Sequence, residues 1–374
     1  MEMQQEKQEE VLEISPLSKW KRSLAFLADF FLIFIFGLML FHLGVHPLSK
    51  AMVGYEGRKD ESSLAQKRRD SVLYGHKILV APSSTQVEAS DFSANLAFTF
   101  ECYVYSFLGD AVSVEKYASK AADYFQTYYV TIRQDNAAYQ ALYRDLDTVG
   151  FFEVGEKVTL KHAYVEEFKH AFLPGDELST QGKADYETLQ TKVFLKGYNR
   201  VLDDINAKDL VFAGVSYKQE QRKVTDFIAF EKTLAISGTA VAYVLSTFIV
   251  TLMIPLISKE RKTLGMLFLR EVRLDSELLI LPKKRRILLF FVYQLLMNVG
   301  SLFFIPLGAY DFVSLFSLPA LFPISAIGLA YLLFSLIYML FEPYNRTLSD
   351  RLSGTVMVTE DTLDKIYLAK GYKV

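Results

Sequence analysis

Four long apolar runs decide what this chain can fold into: residues 24–45, 234–257, 287–307 and 318–341. Each is close to the ~20 residues that, at ~1.5 Å rise, cross a hydrocarbon core. In lipid a single segment can satisfy its own backbone groups only as a helix. The runs therefore predict transmembrane helices over 24–45, 232–257, 287–307 and 318–341. The first run is too long for the apolar part of a cleavable signal, and no site of the Ala-x-Ala kind follows it, so it reads as an uncleaved anchor. Composition agrees, since 51% of the 374 residues are hydrophobic, with 30 Phe and 22 Tyr.

Basic flanks set the orientation. Lys19, Lys21 and Arg22 precede the first run, Lys259, Arg261 and Lys262 follow the second, Lys283 to Arg286 precede the third, and Arg346 and Arg351 follow the fourth. All four clusters fall on one side if the chain crosses at every run, as the positive-inside rule requires. Segments 1–23, 258–286 and 342–374 are then cytoplasmic, 308–317 is a short external loop, and 46–231 is an external domain. The competing reading makes Phe92 to Gly109 a fifth span. That segment carries Glu101, and a fifth crossing would put the basic clusters on opposite faces, so it is expected as a core helix.

The insertion 46–231 is long enough to fold as a domain. Its apolar and aromatic residues recur at helical spacing, as in Tyr117, Ala121, Tyr124 and Tyr128, or Phe194, Tyr198, Val201 and Ile205. Turns are expected at 81–84, at Pro174, Gly175 and Asp176, and at Gly182, giving five or six helices. The last, 217–232, meets no Gly or Pro before the second run and reads as a continuous stalk. The fold class is thus an all-α membrane protein of four transmembrane helices, with a helical extracytoplasmic domain between the first and second.

Few residues announce chemistry. Net charge is −2, which gives no field for nucleic acid, and the lone Cys102 forms no internal disulfide or CxxC site. No HExxH, GxSxG, Walker loop or GxGxxG is present, so no catalytic residue, metal or cofactor is assigned. The tyrosine stripe could line a sugar groove but reads better as a core edge. His42 and His46 have the spacing of a two-histidine metal pair without an accompanying ligand, and His162 and His170 are weaker still.

Three segments, Lys21 to Asp29 (KRSLAFLAD), Glu260 to Leu274 (ERKTLGMLFLREVRL) and Asn345 to Val358 (NRTLSDRLSGTVMV), together resemble the RDD family of bacterial membrane proteins. That family is named for an arginine opening the first span, an aspartate within it and a second aspartate further on; the matching positions are Arg22, Asp29 and Asp350. The resemblance covers the four runs and their connections, and the large insertion lies outside it. It implies a multi-pass plasma-membrane protein of a bacterium, both termini cytoplasmic, involved in transport of an ion or small ligand.

The residues add their own argument. Asp29 lies about five residues, ~7–8 Å, inside the first run, too deep for a short carboxylate to reach water. It needs a partner, for which Arg22, Arg346 and Arg351 are candidates. Arg22 lies two turns earlier on the same face, where lipid phosphate is the ordinary partner. In the C-terminal motif Ser349 or Asp350 can cap a turn, Gly354 can take a positive φ and Thr355 to Val358 is strand-like, so a compact elbow is expected, packed on 263–281. Lys283, Lys284, Arg285 and Arg286 are expected at anionic headgroups. Small residues of the second run, Ser237 to Ala240 and Ala242, offer a face for a homo-oligomer or membrane-protein complex. The alternative to transport is a non-catalytic scaffold, sensor or accessory subunit whose outer domain binds a partner; an enzyme is the weakest reading.

Overall fold

A computed structural model describes residues 17–83, 91–302 and 321–370. The chain is mostly helical and divides into two compact units, one made of 1–55 with 229–374, the other of 56–228. Short two-stranded antiparallel ribbons are the only sheets among the described residues.

In the first unit, α1 (Lys19–Leu40) opens on Ser18, whose hydroxyl accepts the Lys21 N–H. The helical run continues through a π-helical turn at Phe41–Val45 into His46–Met52. The helix α2 (Tyr217–Phe248), which begins in the other unit, likewise passes through a π-helical turn at Ile249–Met253 into Ile254–Ile257. Both widened turns have one cause. Pro47 and Pro255 lack an N–H, and their rings would strike the carbonyls of Leu43 and Thr251, which lie inside those turns. The runs Lys19–Met52 and Tyr217–Ile257 are long and apolar enough to cross a membrane. The last helix of the insertion and the second run are thus one helix, as the missing breakers implied.

α1 and α2 meet through Ile33, Phe41, Ala242, Tyr243 and Val250, and Ser246 donates to the Ile33 carbonyl at 2.5 Å. Gly238 makes room for Phe41: a Cβ there would stand 3.1 Å from its ring. Most of the small-residue face expected to serve an oligomer is therefore covered within the chain, with Gly238, Thr239 and Ala242 buried and Ser237 exposed.

Beyond α2 come α3 (Leu264–Leu269), β1 (Glu271–Asp275), α4 (Lys284–Leu302), α5 (Leu321–Phe341), α6 (Leu348–Ser353), β2 (Thr355–Thr359) and α7 (Glu360–Ala369). α4 packs on α5 and α6. The expected external loop 308–317 and the adjoining ends of the third and fourth runs lie outside the described residues. β1 and β2 pair antiparallel, with Glu271 opposite Thr359, Arg273 opposite Met357 and Asp275 opposite Thr355. This is the expected elbow on its expected partner. Gly354 sits at φ +66° and ends α6 in the left-handed conformation that its sequence context called for.

The second unit buries one aromatic core. The Phe92–Ser106 helix contributes Phe98, Phe100, Tyr103 and Tyr105, which pack with Phe125, Tyr143, Phe152, Phe194 and Tyr198. Gly182 does not end a helix. It stands in the first turn of Thr180–Thr188, its N–H bound by the Ser179 hydroxyl at 2.9 Å, so the breaker reading gave way to a capping serine.

Candidate functional site: a buried charged cluster

The strand β1 reads Glu-Val-Arg-Leu-Asp. A strand alternates its side chains, so Val272 and Leu274 join Val356, Val358 and Ile366 on one face. Glu271, Arg273 and Asp275 share the other, and all three are buried. The three acids and bases on that face have different surroundings.

Arg273 reaches α6. Its Nε lies 3.5 Å from Asp350 Oδ1, and its guanidinium stacks 3.5 Å from the centroid of the Phe290 ring of α4. Asp350 also receives Arg22 of α1, whose Nη2 donates to Oδ2 and lies 3.3 Å from the Thr347 hydroxyl. Thr347 and Asp350 complete a capping box at the start of α6: the Asp350 N–H donates to Thr347 Oγ1 at 3.2 Å, and the Thr347 hydroxyl and N–H donate to Asp350 Oδ2 at 2.7 and 3.2 Å. One carboxylate thus ties α1, β1 and the turn before α6. Burial alone would raise the Asp350 carboxyl, but Arg22 and Arg273, with the Thr347 hydrogen bond, hold it below the usual aspartate range. Burial pushes the Arg273 guanidinium down to about 10, against the pull of Asp350.

Asp29 does something else. Its Oδ2 accepts the Thr263 hydroxyl at 2.6 Å and its Oδ1 accepts the Gly265 N–H at 2.8 Å, so it holds the first turn of α3 against α1. A Cβ on Gly265 would come within 2.8 Å of the Ala25 carbonyl and 2.7 Å of Asp29 Oδ1; only glycine permits this approach.

Asp275 forms an ion pair with Arg286, whose Nε lies 2.9 Å from Oδ2, and caps the N–H groups of Glu277 and Leu278 at 3.0 and 3.1 Å. Arg286 also donates to the Gly354 carbonyl and pairs with Glu277 at 3.1 Å. This corrects its placing among the headgroup residues: the guanidinium turns inward, drawn by a fully buried carboxylate, whereas Lys283, Lys284 and Arg285 are exposed. Glu271 is different again. It is 0% exposed, and neither of its carboxylate oxygens has a hydrogen-bond partner.

Of the residues singled out from sequence, Arg22 and Asp350 come together and Asp29 takes hydroxyl and backbone donors instead of a cation. Arg346 pairs with Glu342, its Nε 2.8 Å from Oε1, and Arg351 is exposed, so neither partners Asp29. Sequence reading passed over Glu271, Arg273, Thr263 and Gly265. The period-two acid and base pattern of β1, set beside a strand-like TVMV, is a signal that could have found Glu271 and Arg273; Thr263 and Gly265 carry none.

Elsewhere the tyrosines behave as core. Asp123 accepts from Tyr139 at 2.6 Å and Tyr143 at 2.9 Å, and Tyr103 and Tyr143 share a hydrogen bond at 2.8 Å. His46 stacks on Phe41 at 4.9 Å, while His42 is exposed. His170 turns to Asp176 at 3.1 Å. Among the described residues no group of three His, Cys, Asp or Glu is placed to hold a metal. A hollow of about 500 Å³ in the second unit is lined by Tyr74, Lys77, Ala81, Lys120 and Tyr124, with the Lys120 ammonium donating to the Ala81 and Pro82 carbonyls. No protein-family model, curated protein or solved structure matches the chain.

Proposed function

We propose that this chain is a four-span integral membrane protein of RDD type, both termini cytoplasmic and 46–231 outside, that takes part in moving an ion or small ligand across a bacterial plasma membrane. Supporting the membrane reading, the most apolar windows of the Lys19–Met52 and Tyr217–Ile257 helices are only 28% and 44% buried. Phe31, Leu43, Ile257, Phe334 and Phe341 stand exposed on apolar helices, where water would penalise them and lipid would not.

The observation that carries transport is polar. Ser246, Thr247 and Thr251 on the second run, Gln294 and Asn298 on α4, and Ser325 and Ser335 on α5 are all buried inside the first unit, away from its outer surface. Polar side chains within apolar spans face protein because hydrocarbon cannot solvate them, and a polar interior between spans is what a route for an ion or small ligand needs. A second reading has its own support. Arg22, Asp29 and Asp350 hold α1, α3 and α6 together, which suits a scaffold or accessory subunit that transmits a state.

The two part in one experiment. The purified chain, reconstituted in vesicles with pH- and cation-sensitive dyes, should dissipate an imposed gradient faster than empty vesicles. If no proton, sodium or potassium flux exceeds the empty control while a partner protein co-purifies stoichiometrically, transport by this chain is wrong and the scaffold reading stands.

A further inference from the structure

The charged face of β1 sets two of its three ionisable groups against an opposite charge. Asp275 has Arg286 and two backbone N–H groups, and Arg273 has Asp350 and the Phe290 ring. Glu271, on the same face and equally buried, has nothing within hydrogen-bond reach of either oxygen. A buried polar group normally finds a partner, and an isolated carboxylate far from water takes up a proton rather than remain charged.

The surroundings show why Glu271 is not simply ion-paired. From α1 it is faced by Lys21, Arg22 and, with like charge, Asp29. Lys21 is exposed, Arg22 is spent on Asp350 through Nη2, and Asp29 is spent on Thr263 and Gly265. On its own strand Arg273 leans to Asp350. Across the ribbon the opposite residue is Thr359, and α7 starts beside it with Glu360, which is already bound to Lys262. Arg22 and Arg273 both turn to Asp350, and Lys21 stays in the open. The buried donors left without a hydrogen-bond partner are Arg22 Nε on α1 and Arg273 Nε and Nη1 on the strand itself.

We propose that Glu271 is a proton-binding site, holding a neutral carboxyl in the resting cluster and competing with Asp350 for Arg22 when it loses that proton. The chemistry balances as a simple dissociation: the O–H bond of the Glu271 carboxyl breaks, the proton goes to water, and the electron pair stays as carboxylate charge in the field of Arg22. Burial, first, and the Asp29 charge push the carboxyl up to about 7, with Arg22 and Lys21 pulling the other way. The change therefore falls near neutrality, where a small shift in pH alters the hold of the ribbon on α1. The site does not depend on transport, and its test reads the proton directly.

The test is infrared difference spectroscopy of the full chain in lipid nanodiscs, comparing acidic with alkaline buffer across pH 7. A protonated-carboxyl stretching band should disappear as the pH rises, should move when isotope-labelled glutamate is incorporated, and should be absent in Glu271→Gln. The glutamine copies the neutral acid in size, so it should fold. The labelled wild-type chain decides the matter even if it does not, since a band that ignores the glutamate label overturns the proposal. So does a band that survives in Glu271→Gln or vanishes in Asp29→Asn instead, and so does the absence of any titrating band. These results leave the flux experiment untouched, so failure here and failure of transport are separate.

Discussion

Two buried acids, one in each unit, are held in opposite ways. In the unit 56–228, the buried carboxylate Asp123 is saturated by neutral donors: two tyrosine hydroxyls and the Phe125 and Gln126 N–H groups. In the unit built from 1–55 and 229–374, Asp350 is set against the charges of Arg22 and Arg273, with donors and acceptors left over at Arg22, Glu271 and Arg273. The first arrangement is cohesion. Tyrosines supply large apolar area, and their hydroxyls close on one acid. The second is an arrangement whose balance changes if one proton is added or removed, because an unpaired charge at low dielectric is expensive.

The sharpest break of that contrast is Asp350→Ala. It leaves Arg22 and Arg273 both buried without their anion and deletes the capping box, so it should cost about 3–5 kcal/mol, the usual penalty for orphaning a buried charge. A thermal melt of the detergent-purified chain checks it. The pH dependence has a definite sign. The folded carboxyl lies below its ordinary value, so its stabilisation is present above that value and is lost as the pH falls through the lower, folded one. A wild-type chain insensitive to acid in that range would mean the pair is not formed.

Asp123→Ala tests the other half. It strands two tyrosine hydroxyls and two backbone N–H groups but no charge, so the loss should be smaller, about 1–3 kcal/mol. The melt should stay cooperative, because the aromatic packing around Tyr143 and Phe152 remains. A loss as large as that of Asp350→Ala would erase the distinction drawn between the units.

Asp29 lies between them, an acid in the charged unit that is nevertheless saturated by a hydroxyl and an N–H. Asn keeps one acceptor and turns an NH₂ toward the other donor. Asp29→Asn should therefore cost about 1 kcal/mol and Asp29→Ala rather more. If Asn leaves vesicle flux at the wild-type level, Asp29 is a clamp on α3 and nothing else. If Asn abolishes flux at unchanged stability, the aspartate titrates after all.

How much of this could be read from the sequence follows the range of the interactions. The helical insertion, the Gly354 turn and the TVMV strand are local, written in periodicity, φ preference and β-branching within a few residues. Asp350 was legible as a capping residue for the same reason, though Thr347 takes the N-cap. The pairing of Arg22 with Asp350 spans 328 residues and depends on how α1 meets α6, which no local pattern encodes. Arg286 shows the limit from the other side. In a run of four basic residues it is indistinguishable from its neighbours, and only the position of Asp275 across the turn selects it.

The least disruptive test concerns which side of the membrane each unit occupies, since the comparison carries a functional meaning only if the charged cluster faces the cytoplasm. Single cysteines report this without disturbing the fold, provided they are exposed. Ser83 is exposed in the second unit and Lys365 is exposed on α7, whereas Ser353 is buried and bonded to the Ser349 carbonyl at 2.7 Å, so a reagent would miss it for reasons of packing. The native Cys102 adds no background: it is fully buried, and burial pushes its thiol up to about 11. Ser83→Cys and Lys365→Cys should each change stability by less than about 0.5 kcal/mol. In intact cells an impermeant maleimide should label Ser83→Cys and spare Lys365→Cys until the membrane is opened. Labelling of both would place the units on one side. The reverse pattern would put the cluster outside, where Arg22 and Lys283 to Arg285 would break the charge rule that oriented the chain.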